Sequence, residues 1–154
     1  PMNIKDFLES MRNLAASVSI VSAQSQQKKN FAMTVSSVTS LSVDPPSLLV
    51  CVNKEASIHN ILKIGSQFAV NILTKDHIEI ANVCSSKDKE DQRFHFDNWE
   101  LDNPPYIQDA QANIFCEVDK VFDYHTHSIV VGSVKSVLNK KSFNTLMYAN
   151  GGYL

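Results

Sequence analysis

Glycine is scarce in this chain, which has four glycines in 154 residues. That is about a third of the usual share of roughly 7%. With only Gly65, Gly132, Gly151 and Gly152, neither G-x-G-x-x-G nor G-x-x-x-x-G-K-[ST] can be written. Both motifs need glycine because their backbone must approach phosphate closely. The sequence therefore excludes glycine-loop nucleotide sites, and a bound nucleotide would need another kind of phosphate site.

An excess of charge and a long apolar run are also lacking. Lys plus Arg is 14 and Asp plus Glu is 16, a net charge of −2, so we expect no nucleic-acid partner. The longest apolar run, residues 48–52, is far shorter than the ~20 residues of a membrane-spanning helix, so no membrane association is predicted. No basic segment followed by an apolar one opens the chain, so we expect no secretion signal.

Cysteine is sparse and widely spaced. Cys51, Cys84 and Cys116 form no C-x-x-C motif, which argues against a zinc site or a disulfide framework and favours reduced thiols in a cytoplasmic protein. His125 and His127 lie two residues apart, but no third ligand stands at metal-site spacing. We therefore predict no metal.

Period-two patterns dominate the rest of the chain and predict strands. The predicted strands cover residues 18–23, 31–43, 47–53, 67–73, 112–122 and 128–138. In the second of them the apolar positions shift parity, which predicts a bulge or bend near Ser36 and Ser37. Three short helices are predicted at residues 3–14, 57–64 and 76–83, and a polar loop at residues 84–105. These patterns predict one mainly antiparallel β domain over residues 1–154, most simply a small barrel.

Three features could line a ligand site, and the first two have an ordinary structural interpretation as well. Residues 33–40, Met-Thr-Val-Ser-Ser-Val-Thr-Ser, are rich in small hydroxyls. They indicate either the polar face of a strand or a hydrogen-bonding wall. Ser57 is either an ordinary helix N-cap or part of a phosphate site that uses the free N–H groups of a helix start. His127, at a predicted strand mouth, is typical of a hydrogen-bond donor that lines a cleft.

The order of these motifs resembles the flavin-reductase-like family, the FMN-binding split barrels that serve as NAD(P)H:flavin oxidoreductase components of two-component monooxygenases. The segments that carry the resemblance are residues 16–22, 32–46, 48–53 with Ser57, 68–73, 93–94 and 127–134. The most specific part is Met-Thr-Val-Ser-Ser at 33–37, running into Asp-Pro-Pro at 44–46 and the Cys-x-Asn strand at 51–53.

The resemblance implies both a fold and a function. The fold is a six-stranded antiparallel Greek-key split barrel with short flanking helices, dimerising with FMN or FAD near the subunit interface. The function is an NAD(P)H-dependent flavin reductase that transfers hydride from NADH or NADPH to FMN or FAD and supplies a separate monooxygenase. Two alternatives stay open: a tightly FMN-binding reductase of another acceptor, and a flavin-binding module without turnover.

The resemblance also implies site residues. Those implied to bind the flavin are Thr34, Val35, Ser36, Ser37, Cys51, Val52, Asn53, Ser57, Ala81, Arg93 and Phe94. Residues 34–37 would line the isoalloxazine ring, largely through backbone groups, and residues 51–53 would flank the ring or the ribityl chain. Ser57 would meet the phosphate. His127 would be the catalytic residue and, with Tyr148 and Tyr153, would bind the nicotinamide.

The C-terminal tail departs from the family pattern, in which a basic residue follows a tyrosine. Here Tyr148 is followed by Ala-Asn-Gly-Gly and then Tyr153 and Leu154, with no Arg or Lys. The missing cation is the reason why a flavin-binding module without turnover stays among the alternatives.

Overall fold

A computed structural model describes all residues, 1–154, and contains two α-helices and twelve strands. The helices are α1 (Ile4–Met11) and α2 (Ile78–Ser85). The strands are β1 (Ala16–Ser17), β2 (Ser19–Gln24), β3 (Asn30–Val35), β4 (Thr39–Val43), β5 (Pro46–Asn53), β6 (Gln67–Ile72), β7 (Trp99–Glu100), β8 (Tyr106–Ile107), β9 (Ala112–Tyr124), β10 (His127–Asn139), β11 (Met147–Ala149) and β12 (Gly152–Tyr153). Short 3₁₀ helices cover Ser57–Ile61, Lys75–His77 and Lys87–Gln92. The predicted mainly antiparallel β class is confirmed.

The main sheet has seven strands in the order β3-β2-β6-β9-β10-β5-β4, with every pairing antiparallel. Its two edge strands, β3 and β4, are consecutive in the chain and only residues 36–38 separate them. The sheet must therefore curl until its edges approach, as in a barrel that is split between these two strands. Six strands were predicted because residues 31–43 looked like one strand. The predicted bend instead divides the segment into two.

Alternation along β5 and β10 explains how the barrel interior is filled. Val50 and Val52 of β5 and Val130 of β10 are at most 1% exposed, whereas their neighbours on the other face are partly exposed. Phe68 of β6 is the largest fully buried side chain between them. Gly132 leaves it room, because a Cβ atom there would lie 2.6 Å from Phe68 Cζ.

A second buried cluster lies between the barrel and α2. It contains Ile20 of β2, Ala32 of β3, Ala81 of α2 and Trp99 from the segment that the sequence suggested to be a polar loop. The Trp99 ring donates from Nε1 to the carbonyl of Arg93 at 2.8 Å. The predicted loop is therefore packed against the barrel, with a 3₁₀ helix and the β7–β8 pair inside it.

Buried amides attach the segment before β9 to the barrel. Asn71 Nδ2 donates to the Ile20 carbonyl and to Ser22 Oγ, both at 2.9 Å. Its Oδ1 accepts from the Ile107 N–H at 3.0 Å and from Asn113 Nδ2 at 2.8 Å. All the hydrogen-bonding capacity of the Asn71 side chain is satisfied, as a fully buried amide requires.

The C-terminal tail is a hairpin. β11 and β12 pair around Asn150 and Gly151, which both have positive φ, 53° and 74°. This is the conformation of a two-residue type I′ turn, for which Asn-Gly is strongly preferred. β11 also pairs with β1, which makes a small three-stranded sheet beside the barrel. No helix in the protein is both long enough and apolar enough to cross a membrane.

One predicted element was wrong. Residues 57–64 do not form an α-helix, because only Ser57–Ile61 is helical and it is 3₁₀, with Ala56 rather than Ser57 at the N-cap. His77, the last residue of the 3₁₀ helix Lys75–His77, is 4% exposed. Its Nδ1 accepts from the Thr74 N–H at 3.0 Å, and its Nε2 lies 3.1 Å from Asp109 Oδ1.

Candidate functional site

A cleft of about 390 Å³ lies where β3, α2 and the tail hairpin meet. Residues 34–36 form its wall on the barrel side, Asn82 and Ser85 border it from α2, and Tyr148 and Tyr153 border it from the hairpin. The volume falls within the range of roughly 300–1,000 Å³ that is typical of small-molecule sites. Three residues predicted to bind flavin and two predicted to bind nicotinamide thus share one cavity.

The wall of residues 34–36 offers mainly backbone groups and one free hydroxyl. Thr34 Oγ1 donates to the Ala81 carbonyl at 2.7 Å, which ties β3 to α2. Val35 is 7% exposed and packs into the barrel core. Ser36 is exposed and its hydroxyl bonds no other residue. Ala81 is fully buried, so its part in the site is to fix Thr34.

Two tyrosines form the opposite side of the cleft. The Tyr148 and Tyr153 rings meet edge to face, with centroids 5.5 Å apart. Tyr153 donates from its hydroxyl to Asn82 Oδ1 at 3.0 Å, which fixes the hairpin to α2. Burial, and to a smaller extent the neighbouring Tyr148, raise the pKa of Tyr153, so its phenol is neutral at physiological pH. This pair is an apolar surface on which a planar ring can pack.

A second group of predicted residues surrounds Ser37. Its hydroxyl donates to the Cys51 carbonyl at 3.1 Å and accepts from the Cys51 N–H at 3.2 Å. Cys51 and Asn53 lie on the outer face of β5, whereas Val52 is fully buried and has only its backbone to offer a ligand. His127 is the cross-strand neighbour of Asn53. The structure thus brings His127 to residues 51–53 and does not place it among the residues that line the cleft.

A carboxylate occupies the predicted phosphate site. Ser57 Oγ donates to Glu90 Oε1 at 3.0 Å, and Arg93 Nη1 lies 3.1 Å from Glu90 Oε2. Arg93 is only 6% exposed, and its guanidinium also donates to the carbonyls of Ala32 at 2.7 Å and Ser86 at 3.1 Å. Glu90 therefore bridges a serine and an arginine as a bound phosphate would.

The remaining predicted residue, Phe94, packs against Trp99 next to Arg93. Its ring centroid lies 4.6 Å from that of Trp99.

Nearby, burial raises the pKa of the Cys84 thiol to about 12 even though the Arg93 guanidinium lowers it. Cys84 is therefore protonated and unreactive at neutral pH. No group of three or more His, Cys, Asp or Glu side chains is placed to hold a metal ion.

A second cavity of about 330 Å³ adjoins the cleft and shares Ser36, Tyr148 and Gly151 with it. Arg12, just after α1, lines this cavity. Sequence reasoning missed Arg12, Asn82 and Ser85. Only Asn82 and Ser85 could have been found from the sequence, because residues three positions apart in a helix lie on the same face.

These residues fit the flavin that the motifs imply. The cleft has an aromatic side for a planar ring and a free hydroxyl at Ser36. Arg93 has a buried Nε without a partner, beside the Glu90 carboxylate that stands where a phosphate is predicted. An orphaned buried donor is uncommon in proteins and is consistent with a polar ligand at this point.

Comparisons with known proteins show which family the chain belongs to. The chain is similar to the reductase component of the FADH(2)-dependent resorcinol hydroxylase of Rhizobium sp. (strain MTP-10005), with 34% identity over 97% of this chain and 85% of that protein. It is similar to the FMN reductase (NADH) RutF of Acinetobacter baylyi, with 30% identity over 96% and 79%. A crystal structure from Haemophilus somnus superposes with a TM-score of 0.92 at 28% identity, covering 99% of each chain.

Residues 11–154 match the family described as "Flavin reductase like domain". The match confirms the resemblance inferred from the motifs: this chain belongs to the flavin reductase like domain family.

Proposed function

We propose that this chain is an NAD(P)H-dependent flavin reductase, an enzyme that passes hydride from NADH or NADPH to FMN or FAD and supplies the reduced flavin to a separate monooxygenase. Residues 1–154 act as one flavin-binding domain. The observation that carries the proposal is the cleft itself. This chain belongs to the flavin reductase like domain family, and its cleft lies between the hydroxyl-bearing wall of residues 34–36 and the rings of Tyr148 and Tyr153.

The chain's part in this reaction is positioning. When bound, the flavin and the nicotinamide supply the hydride chemistry themselves. Thr34, through its bond to Ala81, holds the wall of β3 at a fixed distance from α2. Tyr153, through its bond to Asn82, holds the aromatic side. Rigid walls of this kind restrict two flat rings to a stacked arrangement and exclude water, which is where the rate gain arises.

His127 is assigned to the nicotinamide in this proposal. Its cross-strand neighbour is Asn53, and its Nδ1 lies 2.8 Å from Thr126 Oγ1. That contact orients the ring and leaves Nε2 available to a ligand. The proposed flavin contacts of residues 51–53 would bring the reacting ring to this face of β5.

The proposal includes a homodimer in the cytoplasm. The α1 helix buries none of its residues, and its apolar side chains stay exposed, which is typical of a surface that binds a second protein. Cys51, Cys84 and Cys116 are all free thiols, as is usual in a reducing compartment.

Steady-state oxidation of NADH and NADPH with FMN and FAD, in all four combinations, tests the activity. We expect a colourless protein that oxidises a reduced nicotinamide only when flavin is added. A tightly bound yellow flavin with turnover of another acceptor would favour the first alternative function. Failure of all four combinations would contradict the proposed reductase.

Ser36→Ala, with Ser40→Ala as its control, connects the activity to the cleft. Both serines are exposed, but only Ser36 lines the cavity. Loss of one ligand hydrogen bond should raise the KM for flavin about fivefold in Ser36→Ala and leave it unchanged in Ser40→Ala. Equal KM values in the two variants would place the flavin elsewhere.

A further inference from the structure

Arg12 presents an unpaired positive charge next to the cleft. Its Nη2 donates to the Asn150 carbonyl at 3.0 Å, and its backbone carbonyl accepts from the Asn150 N–H at 2.7 Å. It forms no ion pair with any carboxylate. A guanidinium has five N–H donors in a planar fork, so most of the donors of this exposed side chain are free for a ligand.

Arg12 is also the only charged residue around the cleft and the adjoining cavity. Neither lining includes another Lys or Arg, and neither includes Asp or Glu. The other arginine near the site, Arg93, is buried and paired with Glu90. A dinucleotide that enters between Ser36 and Tyr148 brings a diphosphate, and Arg12 is the one cation positioned to meet it.

Gly151 provides the space for this guanidinium. A Cβ atom at Gly151 would lie 2.5 Å from Arg12 Nη2 and 2.7 Å from Nη1. The residue has a φ of +74°, a conformation that side chains rarely adopt. The hairpin turn thus leaves room for the Arg12 guanidinium beside Tyr148. This position adjoins the tail segment in which no Arg or Lys follows the tyrosine.

We propose that Arg12 binds the diphosphate of a dinucleotide, first of all that of NADH or NADPH, and so provides, from the position just after α1, the cation that the tail lacks. This inference rests on the proposed reductase function. The same chemistry could serve the diphosphate of FAD, and FMN, which has a single phosphate and no diphosphate, separates the two sources. A bidentate guanidinium is the side chain best matched to phosphate oxygens.

Arg12→Gln and Arg12→Lys test the inference, with Lys141→Gln as a control for net charge. Arg12→Gln removes the charge and leaves the backbone hydrogen bond from the Asn150 N–H to the residue 12 carbonyl in place, whereas Arg12→Lys keeps the charge. Lys141 is exposed and lies outside both cavities. With FMN as the acceptor, we expect Arg12→Gln to raise the KM for NADH about tenfold at low salt while kcat stays within about twofold.

The other variants and ligands complete the expected pattern. Arg12→Lys should show a smaller rise in KM, and Lys141→Gln none. The Kd of FMN should not change in any variant. Weaker binding of FAD, with an unchanged KM for NADH, would assign Arg12 to the FAD diphosphate instead.

Titration of wild type and Arg12→Gln with NAD⁺ and with FAD by calorimetry keeps this inference separate from the proposed activity. Arg12-dependent binding without turnover would contradict the reductase function and support the diphosphate site. Unchanged affinities for NADH, NAD⁺ and FAD in Arg12→Gln would overturn the diphosphate site. The diphosphate site would also be overturned if Arg12→Gln lowered the thermal stability and kcat together at a constant KM. That result would show that Arg12 only holds the hairpin in place.

Discussion

Glu90 should limit how strongly Ser57 binds the proposed phosphate. Its carboxylate accepts from Ser57 Oγ and pairs with Arg93, so an incoming phosphate must displace a group of like charge. We expect Glu90→Gln to bind FMN several-fold more tightly, because removal of one repulsive charge near a phosphate is worth about 1 kcal/mol. Fluorescence titration with FMN measures the change.

Riboflavin, which lacks the phosphate, is the control ligand for this prediction. Its affinity should be the same for wild type and Glu90→Gln. Ser57→Ala should weaken FMN binding by roughly 1–2 kcal/mol, the cost of one hydrogen bond to a charged acceptor. If Glu90→Gln left FMN affinity unchanged or weaker, the phosphate would have to bind away from Ser57.

His127 should act on hydride transfer rather than on flavin affinity. The ring is half-buried beside Asn53, and it belongs to neither core cluster. We expect His127→Ala to slow hydride transfer by about 10²-fold, the usual effect of a positioned acid or orienting group. Stopped-flow reduction of FMN by NADH measures that step. His95→Ala, which removes an exposed ring that forms no hydrogen bond, should behave as wild type.

At the level of elements, Gly132 allows β10 to pack closely against Phe68 of β6 and Cys116 of β9. The register of the two strands shifts between Val131 and Gly132, and a Cβ at Gly132 would come 2.6 Å from Phe68 Cζ and 3.0 Å from Cys116 Cβ. We therefore expect Gly132→Ala to lower the free energy of unfolding by about 2 kcal/mol through overpacking. Urea denaturation of wild type and variant measures the difference.

Gly152→Ala is the matched control for that substitution. Gly152 also lies in a strand, but nothing stands within 4 Å of a Cβ placed there. Its unfolding free energy should match that of wild type or rise slightly, since alanine restricts the unfolded chain. Equal destabilisation by the two substitutions would show that the contact with Phe68 does not limit the barrel.

Sequence periodicity predicted the buried strands well and the short elements poorly. β5, β6 and β10 were predicted nearly at their observed bounds, because each needs buried side chains at every second position. The helix predicted from Ser57 is a short 3₁₀ turn, since five residues are too few for the helical period to be diagnostic. The tail hairpin could have been predicted from Asn150-Gly151 alone.

The candidate site could be predicted only in part, because the sequence shows residues that are close along the chain but not distant residues that the fold brings together. Motifs within one strand, such as residues 34–37, are visible in the sequence. The contact of Arg12 with Asn150 joins residues 138 positions apart, and only the fold brings them together. Likewise, no sequence pattern shows that Glu90 reaches Ser57 across 33 positions.

At the scale of the whole molecule, the cleft depends on three separate parts of the chain. The barrel contributes residues 34–36, α2 contributes Asn82 and Ser85, and the hairpin contributes Tyr148 and Tyr153. A bond joins each neighbouring pair: Thr34 to Ala81 between barrel and α2, and Tyr153 to Asn82 between α2 and hairpin. Ligand binding should therefore stabilise the hairpin as well as the barrel.

The proposed dimer makes a prediction about α1. The apolar residues of its exposed face are Ile4, Phe7, Leu8, Met11 and Leu14, each at least 42% exposed. Because none of them contributes to either core cluster, Phe7→Ser with Met11→Ser should leave the barrel folded. We expect wild type to elute at twice the chain mass of 17.2 kDa and the double variant to shift toward the monomer. Light scattering coupled to gel filtration, at several protein concentrations, measures both.

Glu9→Ser is the control, because residue 9 lies on the opposite, polar side of the same helix. This variant should remain a dimer, with the wild-type dissociation constant. Loss of two large apolar contacts from an interface typically weakens association by about 2–4 kcal/mol, a shift of roughly 30- to 1,000-fold in Kd. A double variant that stayed as dimeric as Glu9→Ser would exclude the α1 face from the interface. A wild type that was monomeric at every concentration would contradict the dimer itself.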